Sequence, residues 1–255
     1  MNTVEIIFSP TGGTEKVAHI ISGCWGGEVE QIDLSDAKAD FSKCSIDSAD
    51  MVLIAMPSFG GRAPAVAIER LKQIQGNGAK CTLVCVYGNR AYEDTLVEME
   101  DAARACGFQV IAAIAAVAEH SIVRQYAAGR PDEQDEKELK EFARKILEKS
   151  RGGAASFTDP QIPGNRPYKK AGGAGLVPKG DHRCNGCGLC AEKCPVQAIN
   201  RENLRETDGR KCISCMRCVA VCPQSARKVN SVMVGAVAIA LKKACAERKD
   251  AELYC

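Results

Sequence analysis

Apolar residues in the first 150 positions fall into two alternating patterns. Short apolar runs at Val4–Phe8, Glu28–Leu34, Met51–Met56, Cys81–Tyr87 and Gln109–Val117 predict five strands. Between them, apolar residues recur every three or four positions. Val17, Ile20, Ile21 and Cys24 share one helical face, and Leu96, Met99 and Ala103 share another. The clearest amphipathic pattern is Leu139, Phe142, Ala143, Ile146 and Leu147. It opens on Asp132, Glu133, Asp135 and Glu136, closes on Lys145 and Lys149, and stops at Gly152–Gly153, a charge order that complements a helix dipole. Strands alternating with helices predict an α/β fold whose parallel sheet is covered on both faces.

The periodicity then breaks. Residues 151–180 carry four prolines and seven glycines and read as a linker running along a surface. Next comes an internal repeat, in which Cys184–Pro195 and Cys212–Pro223 match in spacing at an offset of 28 residues. Val232–Cys245 reads as a helix, followed by a charged tail. The expected units are residues 1–150, a linker at 151–178, a small cysteine-rich domain at 179–230, and a helix and tail at 231–255.

Charge separates these units. Residues 1–150 hold 16 Lys and Arg against 23 Asp and Glu, a net of −7; the remaining 105 hold 18 against 9, a net of +9. Aromatic residues are only 5% of the chain, so the core must be built mainly from Ala, Val, Ile and Leu. The run Val232–Leu241 is too short to span a bilayer. Met1 leads into Val4–Phe8 without a charged leader, so a cytoplasmic location is expected. In a reducing compartment, clustered cysteines among a total of 15 bind metal or do redox chemistry rather than form disulfides.

Each repeat is Cys-x2-Cys-x2-Cys-x3-Cys-Pro. Three cysteines at such gaps let a loop wrap one corner of a [4Fe–4S] cube, and the fourth ligates the other cube. The spacing assigns Cys184, Cys187, Cys190 and Cys222 to one cluster, and Cys212, Cys215, Cys218 and Cys194 to a second. Zinc ribbons use two Cys-x2-Cys pairs, four thiolates in all, and account for only half of these cysteines. Cys24, Cys81, Cys85 and Cys106 fall on strands or apolar helix faces, where a thiol is a small hydrophobe.

Directly after the first strand, Ser9-Pro10-Thr11-Gly12-Gly13-Thr14 precedes a helix. Hydroxyls and free N–H groups at a helix N-terminus suit a phosphate bound without any lysine. Here the chain resembles flavodoxin, whose FMN-phosphate loop matches Ser9, Thr11, Gly12, Gly13 and Thr14. The resemblance implies a doubly wound sheet of order 2-1-3-4-5 with FMN at the strand C-termini. It also implies that Pro57, Ser58, Phe59 and Gly60 after strand three, and Tyr87, Gly88, Asn89, Arg90 and Tyr92 after strand four, enclose the flavin ring. Tyr92 aligns with the stacking tyrosine, Asn89 with the residue at the pyrimidine edge, and Phe59 with the aromatic of the other loop. Two features depart from the family: Trp25, the only tryptophan, lies outside both loops, and Arg62 and Arg90 bring positive charge to the ring. The whole chain looks like the flavodoxin–ferredoxin fusion proteins of anaerobes, over residues 1–230.

That resemblance implies an electron-transfer protein exchanging single electrons between two [4Fe–4S] clusters and FMN, with redox proteins as partners. Two alternatives stay open: a flavin-dependent reductase of a small electrophile or quinone, with His120 as proton donor, and an iron–sulfur protein whose first domain holds no FMN. Opposite charges are expected to dock the cysteine-rich domain beside the flavin. Nucleic-acid binding is not expected, because the basic residues lack interleaved aromatic surface. A homodimer through the last helix stays open.

Overall fold

The computed structural model describes residues 2–152, 158–172 and 175–255. Five parallel strands form the first domain: β1 (Thr3–Ile7), β2 (Val29–Asp33), β3 (Met51–Pro57), β4 (Lys80–Tyr87) and β5 (Gln109–Val117). Four helices connect or follow them: α1 (Gly13–Ser22), α2 (Ala65–Leu71), α3 (Thr95–Ala105) and α4 (Glu133–Arg151). Strand order is β2-β1-β3-β4-β5, as the resemblance implied.

Side-chain alternation splits the core into two layers. Val4 and Ile6 of β1, Val52, Ile54 and Met56 of β3, and Leu83 of β4 pack with α2 and α3. On the other face, Ile7, Leu53, Ala55, Val84 and Val86 pack with α1 and α4. Trp25 belongs to that second layer and donates its indole N–H to the Ala143 carbonyl at 3.1 Å, a structural role. Cys81, Cys85 and Cys106 are buried among the first layer's apolar side chains, and burial pushes all three thiols up.

Helix α4 begins where the acidic cluster predicted. Asp132 accepts from the N–H groups of Gln134 and Asp135, and Asp135 accepts in return from the N–H of Asp132 at 2.9 Å. Asp135 also pairs with Arg130, both almost fully buried. Arg248 reaches Asp132 at 2.7 Å from the far end of the chain. Of the two glycines expected to stop this helix, Gly152 caps it and Gly153 lies outside the described residues.

Residues 159–172 follow the outer side of α3. Arg166 pairs with Asp101 at 2.6 Å, Asn165 and Lys169 donate backbone N–H groups to Asp94, and Lys169 pairs with Glu93 at 2.5 Å. The cysteine-rich unit holds two short helices, α5 (Leu189–Glu192) and α6 (Arg217–Ala220), and a ribbon of β6 (Lys179–Gly180) and β7 (Arg227–Lys228). Its repeat extends to the backbone: Gly186, Gly188 and Gln197 have positive φ, and so do Ser214, Met216 and Ser225, each 28 residues later.

The C-terminus differs from expectation. Helix α7 (Ser231–Leu241) ends four residues before Cys245, and the tail is no loose appendage. It returns to the sheet as β8 (Glu252–Tyr254), antiparallel to β5. Only three residues pair, and their charged neighbours give no apolar run, so pattern alone could not find them. The unpaired edge of β5 supplies the reason: its N–H and C=O groups need partners. Among the described residues, no helix is long and apolar enough to cross a membrane.

Candidate functional site

The phosphate loop has the features an anion needs. Gly12 takes φ +89° as the N-cap of α1 and has no side chain to cap the helix. The Lys16 N–H goes to the Gly12 carbonyl and the Glu15 N–H to Ser9 Oγ at 3.0 Å. The N–H groups of Thr11, Gly12, Gly13 and Thr14 have no acceptor among the described residues. These free donors and the positive end of a ten-residue helix fit a dianionic phosphate. Gly13 packs closely, since a Cβ there would lie 3.3 Å from that of Ala118.

The loop opens into a small cleft. Pro57, Ser58 and Phe59 after β3 and Tyr87 and Gly88 after β4 form further walls, so both expected ring loops contribute. Phe59 is held by paired backbone bonds with Arg62. Gly60 lies outside the cleft, at φ +63°, where a Cβ would come 2.6 Å from the Gly172 carbonyl.

Several expected positions differ. Asn89 donates its amide to the carbonyls of Cys245 and Glu247 and accepts from the Lys249 N–H, so the C-terminal segment consumes it. Tyr92 packs on Tyr87 with ring centroids 5.2 Å apart and bonds the Tyr254 hydroxyl at 2.7 Å, facing β8 rather than the cleft. The likeness of both positions to flavodoxin rests on short loops, which cannot show a strand arriving from residue 252. Arg90 pairs with Glu93 at 2.9 Å. Arg62 makes a two-pronged bond to Glu98 and lies over the Tyr168 ring at 4.8 Å. Arg62 is thus offset by a carboxylate, whereas Glu93 is shared between Arg90 and Lys169 and offsets only one of these two charges.

His120 does line the cleft. Its Nδ1 accepts from the N–H groups of Ile122 and Val123, both at 3.2 Å, which leaves the proton on Nε2. Burial holds its pKa below the usual imidazole value. It packs against Gly88, where a Cβ would lie 2.6 Å from the ring. Ala118 and Ser121 also line the cleft, and their place after β5 is the one feature of the sequence that points to them.

In the cysteine-rich unit, Cys184 of the first ligand set lies within electrostatic range of Cys190, and Cys187 is exposed. In the second, Cys194 lies within electrostatic range of Cys212, Cys215 and Cys218, the crossed set inferred from spacing. Matching bonds recur in the two halves: Ala198 N–H to Cys194 Sγ and Ala226 N–H to Cys222 Sγ, each 3.3 Å. Burial pushes Cys215 up to about 12 and Cys218 up to about 11, so cluster assembly must displace their protons. At Cys222 burial acts in the same sense but is outweighed by N–H donation from Ala226, Gln224 and Arg227. Among the described residues, no three ligand-type side chains converge as one metal ion requires. A zinc ion draws its thiolates to about 3.8 Å, whereas a cube holds them farther apart.

The two units meet at the cleft. Cys215, a candidate ligand of the second cluster, lines the same cavity as Thr11, Gly13, Thr14, Ser58 and Gly88. Two residues on, Arg217 donates to the Ser9 carbonyl at 2.9 Å and lies 3.9 Å from Asp33. Arg70 of α2 reaches the Pro195 carbonyl at 2.6 Å, and Ile213 packs against the sheet's first layer. No sequence pattern announces this seam, because its main contacts are arginine to backbone carbonyl.

Residues 183–227 match the family model of a 4Fe-4S dicluster domain. Over 44 residues the chain is 50% identical to one component of the ion-translocating oxidoreductase complex of Methanosarcina acetivorans, covering 17% of each chain. Over 53 residues it is 42% identical to one component of the NADH-quinone oxidoreductase of Sodalis glossinidius, covering 20% of this chain and 29% of the other. The chain thus spans under a third of the length of these relatives. A Streptococcus flavodoxin structure superposes on 58% of this chain and 99% of its own, with TM-score 0.42 and 20% identity. The sheet order and the matched segment together make the chain a fusion of a flavodoxin-like domain with a C-terminal ferredoxin-type 4Fe-4S domain.

Proposed function

We propose that this protein is an electron-transfer flavo-iron–sulfur protein in which two [4Fe–4S] clusters exchange single electrons with FMN held at the phosphate loop. When bound, the clusters supply one-electron transfer and the flavin two-electron storage. The observation that carries the reading is Cys215 on the wall of the cleft, beside Thr11 and Gly88.

This chain's residues would act as follows. The N–H groups from Thr11 to Thr14, with the Ser9, Thr11 and Thr14 hydroxyls, hold the phosphate. Pro57, Ser58, Phe59, Tyr87 and Gly88 shape the ring site. The crossed cysteine sets bring the second cluster to the seam, and Arg217 and Arg70 seat the cluster unit there. External redox proteins then supply and accept electrons.

His120 favours a second reading, reduction of a small electrophile in the cleft. Its neutral ring keeps a proton on Nε2 that could be delivered to a bound molecule. Anaerobic mixing with a one-electron donor separates the readings. A carrier releases electrons only to a protein acceptor, whereas a reductase also turns over a quinone or nitro compound and loses that turnover in His120→Gln. If electrons entering through the clusters never reach bound flavin, both readings fail.

A further inference from the structure

Arg227 is the residue the proposed function leaves unused. Its side chain is 2% exposed, deep in the cysteine-rich unit. Its backbone pairs with Gly180 in the β6–β7 ribbon. Nη1 donates to the Leu204 carbonyl at 2.6 Å, and Nη2 donates to the Pro178 carbonyl at 2.8 Å and to the Thr207 hydroxyl. Nε is buried with no partner among the described residues.

All three oxygens that accept from it are neutral. No ion pair involves Arg227 among the described residues, although a buried cation without a counter-charge is strongly unfavourable. The fold itself does not ask for arginine here. The equivalent position in the first repeat, 28 residues earlier, is Ile199, itself buried at 5% exposure in the same small core. An apolar side chain therefore fits this site, and the second repeat departs from it.

The missing counter-charge lies among the cysteines. Nη1 is 3.9 Å from Cys190 Sγ, a member of the first ligand set. Cys190 packs in one small core with Cys194 and Cys218 of the second set, so the charge that contacts Cys190 also lies within electrostatic range of Cys218 and Cys212. One fixed positive charge thus acts on both ligand sets.

We propose that Arg227 is a shared electrostatic positioning residue for the two clusters, offsetting the thiolate charge of both sets and raising both reduction potentials together. The inference rests on the two-cluster reading above. Each reduction adds one electron, and so one negative charge, beside a guanidinium that cannot lose its proton. Potentials of such clusters respond to net charge and to hydrogen bonds at sulfur. A charge within range of both sets favours reduction of either.

The test uses the full chain, purified anaerobically, as wild type, Arg227→Ile and Arg227→Lys. Iron and sulfide are counted first, then both midpoint potentials are read by an EPR-monitored redox titration. With full iron, Arg227→Ile should move both potentials downward, while Arg227→Lys should stay near wild type. Unchanged potentials in Arg227→Ile, or a shift of one cluster only, overturns the proposal. If Arg227→Ile fails to assemble, recovery of iron in Arg227→Lys supports the role of charge. Loss in both variants assigns Arg227 to packing and overturns it. Wild-type protein without eight irons would instead defeat the two-cluster reading itself.

Discussion

Replacing Arg217 with methionine removes the guanidinium that ties the cluster unit to the phosphate loop while keeping most of the apolar stem. The bond to the Ser9 carbonyl at 2.9 Å is charge-assisted and contributes about 1.5–3 kcal/mol. The contact to the Pro10 carbonyl, at 3.5 Å, is too long to add much. Asp33 is 3.9 Å away with its side chain 45% exposed, so that ion pair adds at most about 0.5 kcal/mol after screening. The substitution should weaken docking by about 2 kcal/mol, which is about 30-fold in the docking constant. Electron passage from cluster to flavin requires the docked arrangement, so its rate should fall by up to that factor. Arg70→Met removes the contact to the Pro195 carbonyl on the other edge, and the double variant should fall further. The assay is rapid anaerobic mixing with a one-electron donor, followed at the flavin absorbance, on variants with wild-type iron and flavin content. A double variant that reduces its flavin at the wild-type rate refutes the seam as the route.

Other perturbations address separate parts of the account. Asp135→Ala leaves Arg130 buried without its carboxylate and should cost about 3–5 kcal/mol, seen as a fall of about 10 °C in thermal midpoint; a change near zero contradicts the pairing. Gly88→Ala drives a Cβ into the His120 ring and should weaken flavin binding or cost about 1–3 kcal/mol of stability; a variant unchanged in both would show that the ring moves freely. Burial holds the His120 pKa below 6.5, so the unfolded state takes up the proton first as pH falls. Its contribution to stability is therefore full above pH 6.5 and declines below it, and His120→Gln should flatten that part of the melting profile relative to wild type. Rising salt should slow cluster-to-flavin transfer, because residues 1–150 carry a net of −7 and the rest of the chain +9, of which two clusters would offset about 4; a flat profile rejects long-range attraction as a contributor.

The parallel sheet was legible because β1, β3, β4 and β5 are short, mostly apolar runs buried on both faces, while β2 is an edge strand in which Ile32 alone is buried; all five lie within one residue of their expected ends. The cysteine repeat was legible for a different reason: its spacing marks a 4Fe-4S dicluster segment, which the family match over residues 183–227 also picks out. The phosphate loop was readable as a βα turn with free donors. Contacts between distant segments were not. Nothing near residue 89 announces that Asn89 will be taken up by the carbonyls of Cys245 and Glu247, and nothing near Glu252 announces a strand. Arg62 looked like a charge for the flavin because its partner Glu98 lies a strand and a helix away in sequence. Likewise Arg227 reads as one more basic residue until the fold buries it against Cys190 without an acidic partner among the described residues.

The most direct measurement of the central claim is the cofactor content of the anaerobically purified chain, counted as iron, acid-labile sulfide, zinc and flavin against protein. Two cubes and one flavin predict about eight irons, about eight sulfides and about one FMN per chain, with a brown visible spectrum bleached by a one-electron donor. Colourless protein carrying zinc contradicts the cluster assignment, and brown protein with full iron but no flavin contradicts the phosphate-loop site.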